Sequence, residues 1–374
     1  MKILHISSAR IDYPGGTEKI IKELSVRQAK RHKVVILQTN LYEEERLFDR
    51  IEERENIKII TAKNDLFLGG FGYSREFKKI LKIIWKEFDI VHIHGHGRFT
   101  SNYSLKFLKN KKPIIYSGQG FFHDKKNNFF KKIYDKIYGK RLNNATFLTA
   151  LTKLEINKIK NYGIDEEKII IIPGGVDFEK ISSVKESGKL RKKYLDSKKE
   201  KILLYVGRIH ESKGIQYVLE AIEDIKIKFF IVGKDAGYEE RLKEIIEKKR
   251  LKNKVRFFGE VNNEKLIELY NISDIFVLYS DWEGFGLVII EAMAGGTPCI
   301  VSNKGSLPHL VENNYNGFVV NDILELKQRI LELTQDKDLR NILSRNSKEF
   351  ARKFDWNEIS KKYEGLYLEA LKYE

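Results

Sequence analysis

The chain has 374 residues, with 69 lysines and arginines against 53 aspartates and glutamates, and a single cysteine. This length suffices for two domains with separate cores, and the lone Cys299 excludes a disulfide framework and indicates a reducing, cytoplasmic compartment. The net charge of +16 is spread over predicted helix faces without a nucleic-acid-binding motif, so no nucleic-acid partner is expected.

Short Ile- and Val-rich runs alternate with amphipathic patterns along the chain, which predicts parallel strands connected by helices. In the first half, strands are predicted at 2–7, 34–38, 57–61, 90–94, 113–117, 146–150 and 169–172, and helices at 16–30, 75–86, 127–142 and 153–162. In the second half, strands are predicted at 202–207, 229–232, 255–258, 274–278, 299–302 and 318–320, with an amphipathic helix at 356–373. No stretch matches a signal sequence or reaches the roughly 18 apolar residues of a membrane span, so we expect a soluble or peripheral protein.

The turn Pro173-Gly174-Gly175-Val176-Asp177 interrupts this alternation, and a charged stretch follows it. We therefore predict an α/β protein with a first domain over 1–176, a second over 177–354 and a C-terminal helix over 355–374 that packs back on the first domain. Both domains are expected to be doubly wound parallel sheets that bind ligands outside the carboxyl ends of their strands.

Two predicted strand ends carry glycines and cations. Gly15 and Gly16 follow the first strand and precede a helix, where backbone amides can approach a diphosphate or a sugar; a capping turn would use the same pair. Arg208 and Lys213 flank the turn after the strand at 202–207. Together they could hold a diphosphate without a metal.

The stretch from Tyr279 to Pro298 places two carboxylates around one turn and helix. Glu283 lies in a loop with two glycines, and Glu291 lies one to two turns into the helix that begins near Gly286. A helix N-terminus that follows a glycine loop can bind an anion. This layout suits a ligand with phosphates in the middle and hydroxyls at both ends.

Together these motifs resemble the retaining nucleotide-sugar glycosyltransferases of family 4, which have the GT-B fold of two Rossmann-like domains facing a central cleft. The family signature is two glutamates separated by seven residues, as Glu283 and Glu291 are. The resemblance covers essentially the whole chain and is carried by Gly15-Gly16, Pro173–Asp177, Gly207-Arg208, Lys213-Gly214, Phe258-Gly259, Glu283-Gly284-Phe285-Gly286, Glu291-Ala292 and Phe354-Asp355-Trp356.

The resemblance implies a nucleoside-diphosphate-sugar as donor, bound by the second domain, and a hydroxyl of a glycan or lipid-linked acceptor on the side of the first. Arg208 and Lys213 would bind the diphosphate and stabilise the leaving nucleotide, and Glu291 would bind the ribose hydroxyls. Glu283, with the amides of Gly284, Phe285, Gly286 and Leu287, would engage the donor sugar and the distal phosphate. The Gly15-Gly16 loop would close against the donor. No cofactor and no metal are implied.

The chain departs from the family where many members carry a histidine that faces the transferred sugar. Gln119 occupies that place in Ser117-Gly118-Gln119-Gly120, with His123 nearby. A glutamine cannot titrate, so it fits a front-face mechanism without an enzymic base, whereas His123 is the alternative for this role.

His92, His94 and His96 alternate along one predicted strand and its end, so they share a face. A metal site is one interpretation. The favoured one places them along the cleft, with His94 or His96 contacting the acceptor.

The segment 125–141 carries a stripe of aromatic and aliphatic residues beside seven lysines and arginines. Such a pattern is found in helices that lie on anionic membranes, and equally in helices that pack on a sheet. It makes membrane association on the cytoplasmic face a hypothesis.

Three other functions compete with glycosyl transfer. They are another GT-B activity such as a sugar-nucleotide epimerase or a phosphorylase, a basic nucleic-acid-binding protein, and a non-catalytic sugar-nucleotide sensor.

Overall fold

The computed structural model describes residues 1–13, 15–41, 50–54, 56–68, 71–119, 138–184, 191–195, 197 and 200–373. The chain forms two compact units, one of Met1–Gly174 with Trp356–Glu374 and the other of Gly175–Asp355. Within the described residues, no helix is long and apolar enough to cross a membrane. His123 and most of the segment 125–141 lie outside the described residues.

The first unit is built on an eight-stranded sheet of order β10-β9-β8-β7-β1-β2-β4-β3, which is parallel apart from β3. Its strands are β1 Lys2–Ile6, β2 Lys33–Thr39, β3 Ile51–Arg54, β4 Ile57–Ala62, β7 Ile90–His94, β8 Ile114–Ser117, β9 Phe147–Ala150 and β10 Ile169–Ile171, with a separate hairpin of β5 Leu66–Leu68 and β6 Phe71–Tyr73. Its first helices are α1 Gly16–Gln28, α2 Arg75–Ile84, α3 Phe99–Phe107 and α4 Lys153–Lys160.

The second unit has a six-stranded parallel sheet of order β13-β12-β11-β14-β15-β16. Its strands are β11 Ile202–Val206, β12 Lys228–Val232, β13 Val255–Gly259, β14 Ile275–Leu278, β15 Cys299–Ser302 and β16 Gly317–Val320. Its helices are α5 Phe178–Ser182, α6 Ile215–Ala221, α7 Glu239–Lys248, α8 Asn263–Ile272, α9 Leu287–Ala294, α10 Ile323–Gln335 and α11 Lys337–Arg352.

The last helix, α12 Trp356–Ala370, belongs to the first unit. Trp356, Ile359, Tyr363 and Tyr367 are at most 1% exposed and pack in a cluster with apolar residues of α1 and of the sheet. The spacing of these residues keeps one face of the helix on the core.

Both sheets have a point at which the chain reverses its direction of winding. In the first unit this point lies between β1 and β7, and in the second between β11 and β14, because each pair is adjacent in the sheet although distant in the chain. Parallel sheets of this kind bind ligands in the crevice outside the carboxyl ends of such strand pairs. The two candidate regions are therefore the loops after β1 and β7 and the loops after β11 and β14.

Candidate active site

The turn after β11 is pressed against the end of β14. Gly214 has a φ of +70°, and a β-carbon at this position would lie 2.0 Å from the carbonyl oxygen of Tyr279. The amide of Asp281 donates to the carbonyl of Ser212 at 2.9 Å. Only glycine accommodates both the left-handed backbone and this close approach, so it brings the neighbouring Lys213 to the loop after β14.

Lys213 and Glu283 form an ion pair in this loop. The Lys213 ammonium donates to Oε1 of Glu283, and their side chains are 14% and 18% exposed. The hydroxyl of Ser280 lies 3.3 Å from the same oxygen and donates to it. The structure thus brings together two of the predicted site residues and holds their charges in a largely desolvated position.

Two serines, one at the end of β15 and one in the loop after it, fix the backbone around Glu283. Ser306 Oγ donates to the carbonyl oxygens of Glu283 at 2.9 Å and of Phe285 at 3.1 Å, and Ser302 Oγ donates to that of Ser280 at 2.6 Å. Neither serine was predicted as a site residue. Their position at and beyond the carboxyl end of the buried strand β15 was the signal that could have identified them.

Helix α9 begins at the predicted glycine loop. Gly286 precedes it with a φ of +94° and without a side-chain cap. The first turn of an α-helix leaves backbone N–H groups without intrahelical acceptors. These amides and the positive end of the helix dipole make this N-terminus suitable for an anion.

Glu291 lies in the second turn of α9 and is only 5% exposed. The Tyr270 hydroxyl on α8 donates to its Oε2 at 2.9 Å. Burial and the neighbouring Glu291 carboxylate raise the pKa of Tyr270 well above its usual range, so the hydroxyl keeps the proton that it donates. Tyr270 was missed at the level of sequence because nothing marks it there as a partner of Glu291.

Arg208 is exposed and forms no ion pair with the residues that the structure describes. Its carbonyl accepts a hydrogen bond from the Tyr205 hydroxyl at 2.8 Å. Burial raises the pKa of Tyr205, which keeps this donor protonated. The backbone at Arg208 is therefore held in place while its guanidinium points into solvent.

In the first unit, a pocket of about 120 Å³ lies at the carboxyl ends of β1 and β7. Its lining includes Ser8, Glu18, His94, Arg98 and Gln119. Gly15, the residue before α1, is packed so closely that an added β-carbon would lie 2.0 Å from a carboxylate oxygen of Glu18, whereas Gly16 has open space around it. The predicted Gly15-Gly16 loop therefore adjoins the same pocket through α1.

Glu18 is a pocket residue that the sequence interpretation did not identify. Burial raises the pKa of its carboxyl group, opposed by its own backbone amide and by the charge of Arg98. The carboxyl oxygens of Glu18 line the pocket, where they are suited to accept a hydrogen bond from a sugar hydroxyl.

His92 and His94 lie in the interior of the unit, at most 1% exposed, and do not both line a cleft as expected. Nitrogen atoms of His5, His92 and His94 lie within 4.8 Å of one another, which is compatible with a metal. All six ring nitrogens nevertheless have hydrogen-bond partners among protein side chains. His94 reaches the pocket, and His96 contacts Tyr116 at 3.2 Å.

Burial lowers the pKa of His5 to about 4 and lowers the pKa values of His92 and His94 well below their usual range. The three rings are therefore neutral at physiological pH. The hydrogen bonds that they form must satisfy the donor and acceptor rules of neutral imidazole.

Known protein families match both halves of the chain. The family model described as Glycosyltransferase Family 4 matches residues 14–180, and the model described as Glycosyl transferases group 1 matches residues 186–350. The UDP-Gal:alpha-D-GlcNAc-diphosphoundecaprenol alpha-1,3-galactosyltransferase of Escherichia coli is 32% identical over 281 residues, which cover 71% of this chain and 72% of that protein.

Two solved structures share the fold over the whole of both chains. Sucrose-phosphate synthase from Thermosynechococcus elongatus superposes with a TM-score of 0.82 at 19% identity. An Anabaena protein in complex with UDP-glucose superposes with a TM-score of 0.77 at 20% identity. These matches confirm the predicted GT-B fold with two Rossmann-like domains, and the chain belongs to the family 4-like glycosyltransferases of group 1.

Proposed function

We propose that the protein is a retaining hexosyltransferase that moves a sugar from a nucleoside-diphosphate-sugar to a hydroxyl of a glycan or lipid-linked acceptor, without a metal. The observation that carries this proposal is the Lys213–Glu283 pair beside Arg208 and the N-terminus of α9. The pair holds one cation in place next to a helix N-terminus, and the exposed Arg208 follows the neighbouring strand β11, so positive charge is available to a diphosphate at this edge. The galactosyltransferase of Escherichia coli, which is named for a UDP-sugar donor, and the Anabaena complex with UDP-glucose support it.

Each group at this edge has a role in the proposed donor site. Arg208 and Lys213 bind the diphosphate, and the amides of Gly284, Phe285, Gly286 and Leu287 bind the distal phosphate and the sugar. Glu283 orients Lys213 and accepts from a sugar hydroxyl. Glu291, held by Tyr270, accepts from the ribose hydroxyls.

The proposed reaction takes place on one face of the sugar. The bond between the anomeric carbon and the phosphate oxygen breaks as the bond to the acceptor oxygen forms, and the acceptor proton passes to the departing phosphate. Because negative charge grows on the leaving diphosphate, groups already aimed at it stabilise the transition state more than the ground state. Lys213, held by Glu283, and the α9 amides are already positioned for this role, and Arg208 supplies a further cation.

A lipid-linked acceptor is supported by an aromatic and basic face of the first unit. Tyr73, Phe99, Tyr103, Phe107 and Trp85 form a row with ring centroids 4.9 to 6.2 Å apart. The ammonium groups of two lysines lie over these rings, Lys78 4.5 Å from Tyr73 and Lys111 3.8 Å from Phe107. We call these seven residues the aromatic–basic face.

This face adjoins the part of the predicted membrane segment that the structure describes. A cavity of about 450 Å³ is lined by Tyr73, Phe99 and Tyr103 and also by Tyr138 and Arg141. Nearby Ile83 is 73% exposed. Tyr73 is also exposed, whereas the other rings of the face are half-buried against the core. Apolar and aromatic side chains beside lysines are suited to the interface of an anionic membrane.

The proposal is tested by thermal stabilisation with a panel of UDP-, GDP- and ADP-sugars, followed by product analysis. A donor at about 100 times its dissociation constant should add about 2.7 kcal/mol to the free energy of unfolding. The donor that binds is then offered with hydroxyl acceptors, and NMR of the product gives the anomeric configuration. Absence of any stabilising nucleotide-sugar would contradict the donor site, and an inverted product would contradict retention. Conversion of the nucleotide-sugar to its epimer, without transfer to an acceptor, would instead indicate an epimerase.

A further inference from the structure

A row of hydrogen-bonded side chains crosses the interior of the first unit and ends at the pocket. We call it the hydrogen-bond chain. Its members, in order from the pocket, are Gln119, His94, His5, Gln28, Tyr367, His92, Ser117 and Thr149. Apart from Gln119, each is at most 3% exposed, so these side chains bond to one another and not to bulk water.

The half of the chain nearest the pocket has a defined direction. His5 Nε2 lies 2.8 Å from the amide oxygen of Gln28, which can only accept, so His5 carries its proton on Nε2. His5 Nδ1 must then accept from Nε2–H of His94 at 3.0 Å. This leaves His94 Nδ1 as an acceptor for the amide N–H of Gln119 at 3.5 Å.

The remaining links point the same way. Gln28 Nε2 donates to the Tyr367 oxygen at 3.2 Å, and the Tyr367 hydroxyl donates to His92 Nδ1 at 2.6 Å. His92 Nε2 then donates to Ser117 at 2.7 Å, and Ser117 lies 2.5 Å from Thr149. Each internal member donates one hydrogen bond and accepts one, so the reversal of a single link would leave a buried donor or acceptor unpaired.

The consequence falls on Gln119. Its N–H is committed to His94, while its Oε1 is buried and has no hydrogen-bond partner among the described residues. Its φ of +45° is in the left-handed region, which is strained for a glutamine. A strained residue with an unsatisfied acceptor in a polar pocket indicates a ligand that supplies the missing proton.

We propose that the hydrogen-bond chain fixes Gln119 as the acceptor for one sugar hydroxyl, so that Gln119 determines specificity and His94, His5, Gln28 and Tyr367 are positioning residues. This inference rests on the proposed glycosyl transfer. A site built to bond a hydroxyl discriminates strongly against a sugar that lacks it. The hydroxyl belongs either to the transferred sugar or to the acceptor, and the kinetic test below separates the two.

The direction of the chain is measured first, on the unliganded protein. Long-range ¹H–¹⁵N spectra of histidine-labelled protein at pH 7 should show His5, His92 and His94 as neutral rings protonated on Nε2. The three signals are assigned with single His-to-Asn variants. A proton on Nδ1 of His94 would overturn the inference, because the whole chain would then be reversed and Gln119 would present a donor instead.

The role of Gln119 is measured with Gln119→Met, which keeps the length of the side chain without its hydrogen bonds. We expect kcat/KM of transfer to fall about tenfold, as for one lost hydrogen bond. Hydrolysis of UDP-glucose, or of whichever nucleotide-sugar the screen identifies, is measured without acceptor. If the hydroxyl belongs to the transferred sugar, the hydrolysis rate of the variant falls in parallel with kcat/KM of transfer. If the hydroxyl belongs to the acceptor, the hydrolysis rate stays constant while the KM for the acceptor rises.

Tyr367→Phe breaks the chain far from the pocket and should lower kcat/KM of transfer several-fold. Tyr363→Phe on the same buried face of α12 is the matched control, because its hydroxyl contacts the end of the hydrogen-bond chain that is farthest from the pocket, Ser117 and Thr149, the latter at 3.5 Å. If the wild-type protein transfers sugar and the Gln119→Met and Tyr367→Phe variants have the same kcat/KM, the inference is overturned and the proposed function stands. Wild-type protein that transfers no sugar would instead contradict the proposed function.

Discussion

The ammonium of Lys213 donates a hydrogen bond to the carboxylate of Glu283, although 70 residues separate them in the chain. Both side chains are largely buried, so removal of either one leaves the other charge poorly solvated. The pair places a cation at a fixed point beside the N-terminus of α9, where a leaving diphosphate would gain charge.

Lys213→Ala should reduce kcat of transfer by about 10²-fold or more, as expected for loss of one preorganised group that stabilises developing negative charge. The measurement is steady-state transfer with the donor from the screen, accompanied by thermal unfolding to verify the fold. Lys304→Ala is the matched control, since Lys304 pairs with Asp281 in the same region at 2.8 Å but both side chains are about half exposed. An exposed ion pair contributes little to stability. Equal losses of kcat in the two variants would therefore contradict the assignment of Lys213 to the leaving diphosphate.

The edge on which Lys213 and Glu283 meet could be predicted from the sequence, because both follow strands of a parallel sheet. The side chains that hold the site residues in place could not be predicted in this way. Tyr270 reaches Glu291 from another helix, and Ser306 binds the loop carbonyls from beyond β15. Such contacts depend on tertiary packing, which a local pattern does not encode.

The strands were predicted well where they are buried on both faces, as at 90–94 and 299–302. Helix α3 was missed because its inward face is polar, with Ser101 bonded to the carbonyl oxygens of His94 and Gly95. An apolar periodicity cannot reveal such a helix. The short strand β3 and the hairpin of β5 and β6 were missed too, since each is only three or four residues long.

Tyr270→Phe should raise the donor KM about five- to tenfold and change kcat little, because the hydroxyl positions Glu291 for binding and does not act on the leaving group. The matched control is Tyr194→Phe, which removes a hydroxyl bonded to Glu268 of the same helix at 3.2 Å. Initial rates at varied donor concentration give both constants. A fall in kcat at unchanged KM would contradict a binding role for Glu291.

Gly214→Ala should abolish donor binding and destabilise the fold, since its β-carbon would lie 2.0 Å from the Tyr279 carbonyl and must displace Lys213. Gly237→Ala is the control that separates the effect of this steric clash from the effect of a positive φ. Gly237 also has a positive φ, +89°, but has open space around it, so about 1–2 kcal/mol is expected there. Chemical denaturation and donor titration test the pair, and equal destabilisation with retained donor binding would show that the close approach is unimportant.

The aromatic–basic face should bind anionic membranes. Replacement of Lys78 and Lys111 by alanine should weaken binding to phosphatidylglycerol-containing vesicles by about 30-fold, at about 1 kcal/mol for each lysine. The control replaces the exposed Lys243 and Lys252 of the second unit. Cosedimentation measures the retained fraction. Equal binding to neutral vesicles, or an equal loss in the control, would argue against this surface.

Glu155 at the start of α4 should make stability depend on pH. It is 1% exposed, and burial raises the pKa of its carboxyl group from 4.5 to about 7, opposed by the Leu151 amide. The folded state therefore binds the proton more tightly than the unfolded state, so the stability contribution is fully present below about pH 4.5 and is lost as the pH rises through 7. Such a pKa difference corresponds to about 3 kcal/mol at most.

Because Glu155→Gln cannot ionise, the free energy of unfolding of this variant relative to wild type should increase from pH 5 to pH 8, as measured by urea denaturation. The exposed Glu167→Gln should show no such increase, and a constant difference for Glu155→Gln at both pH values would mean that Glu155 is ionised in the folded protein throughout.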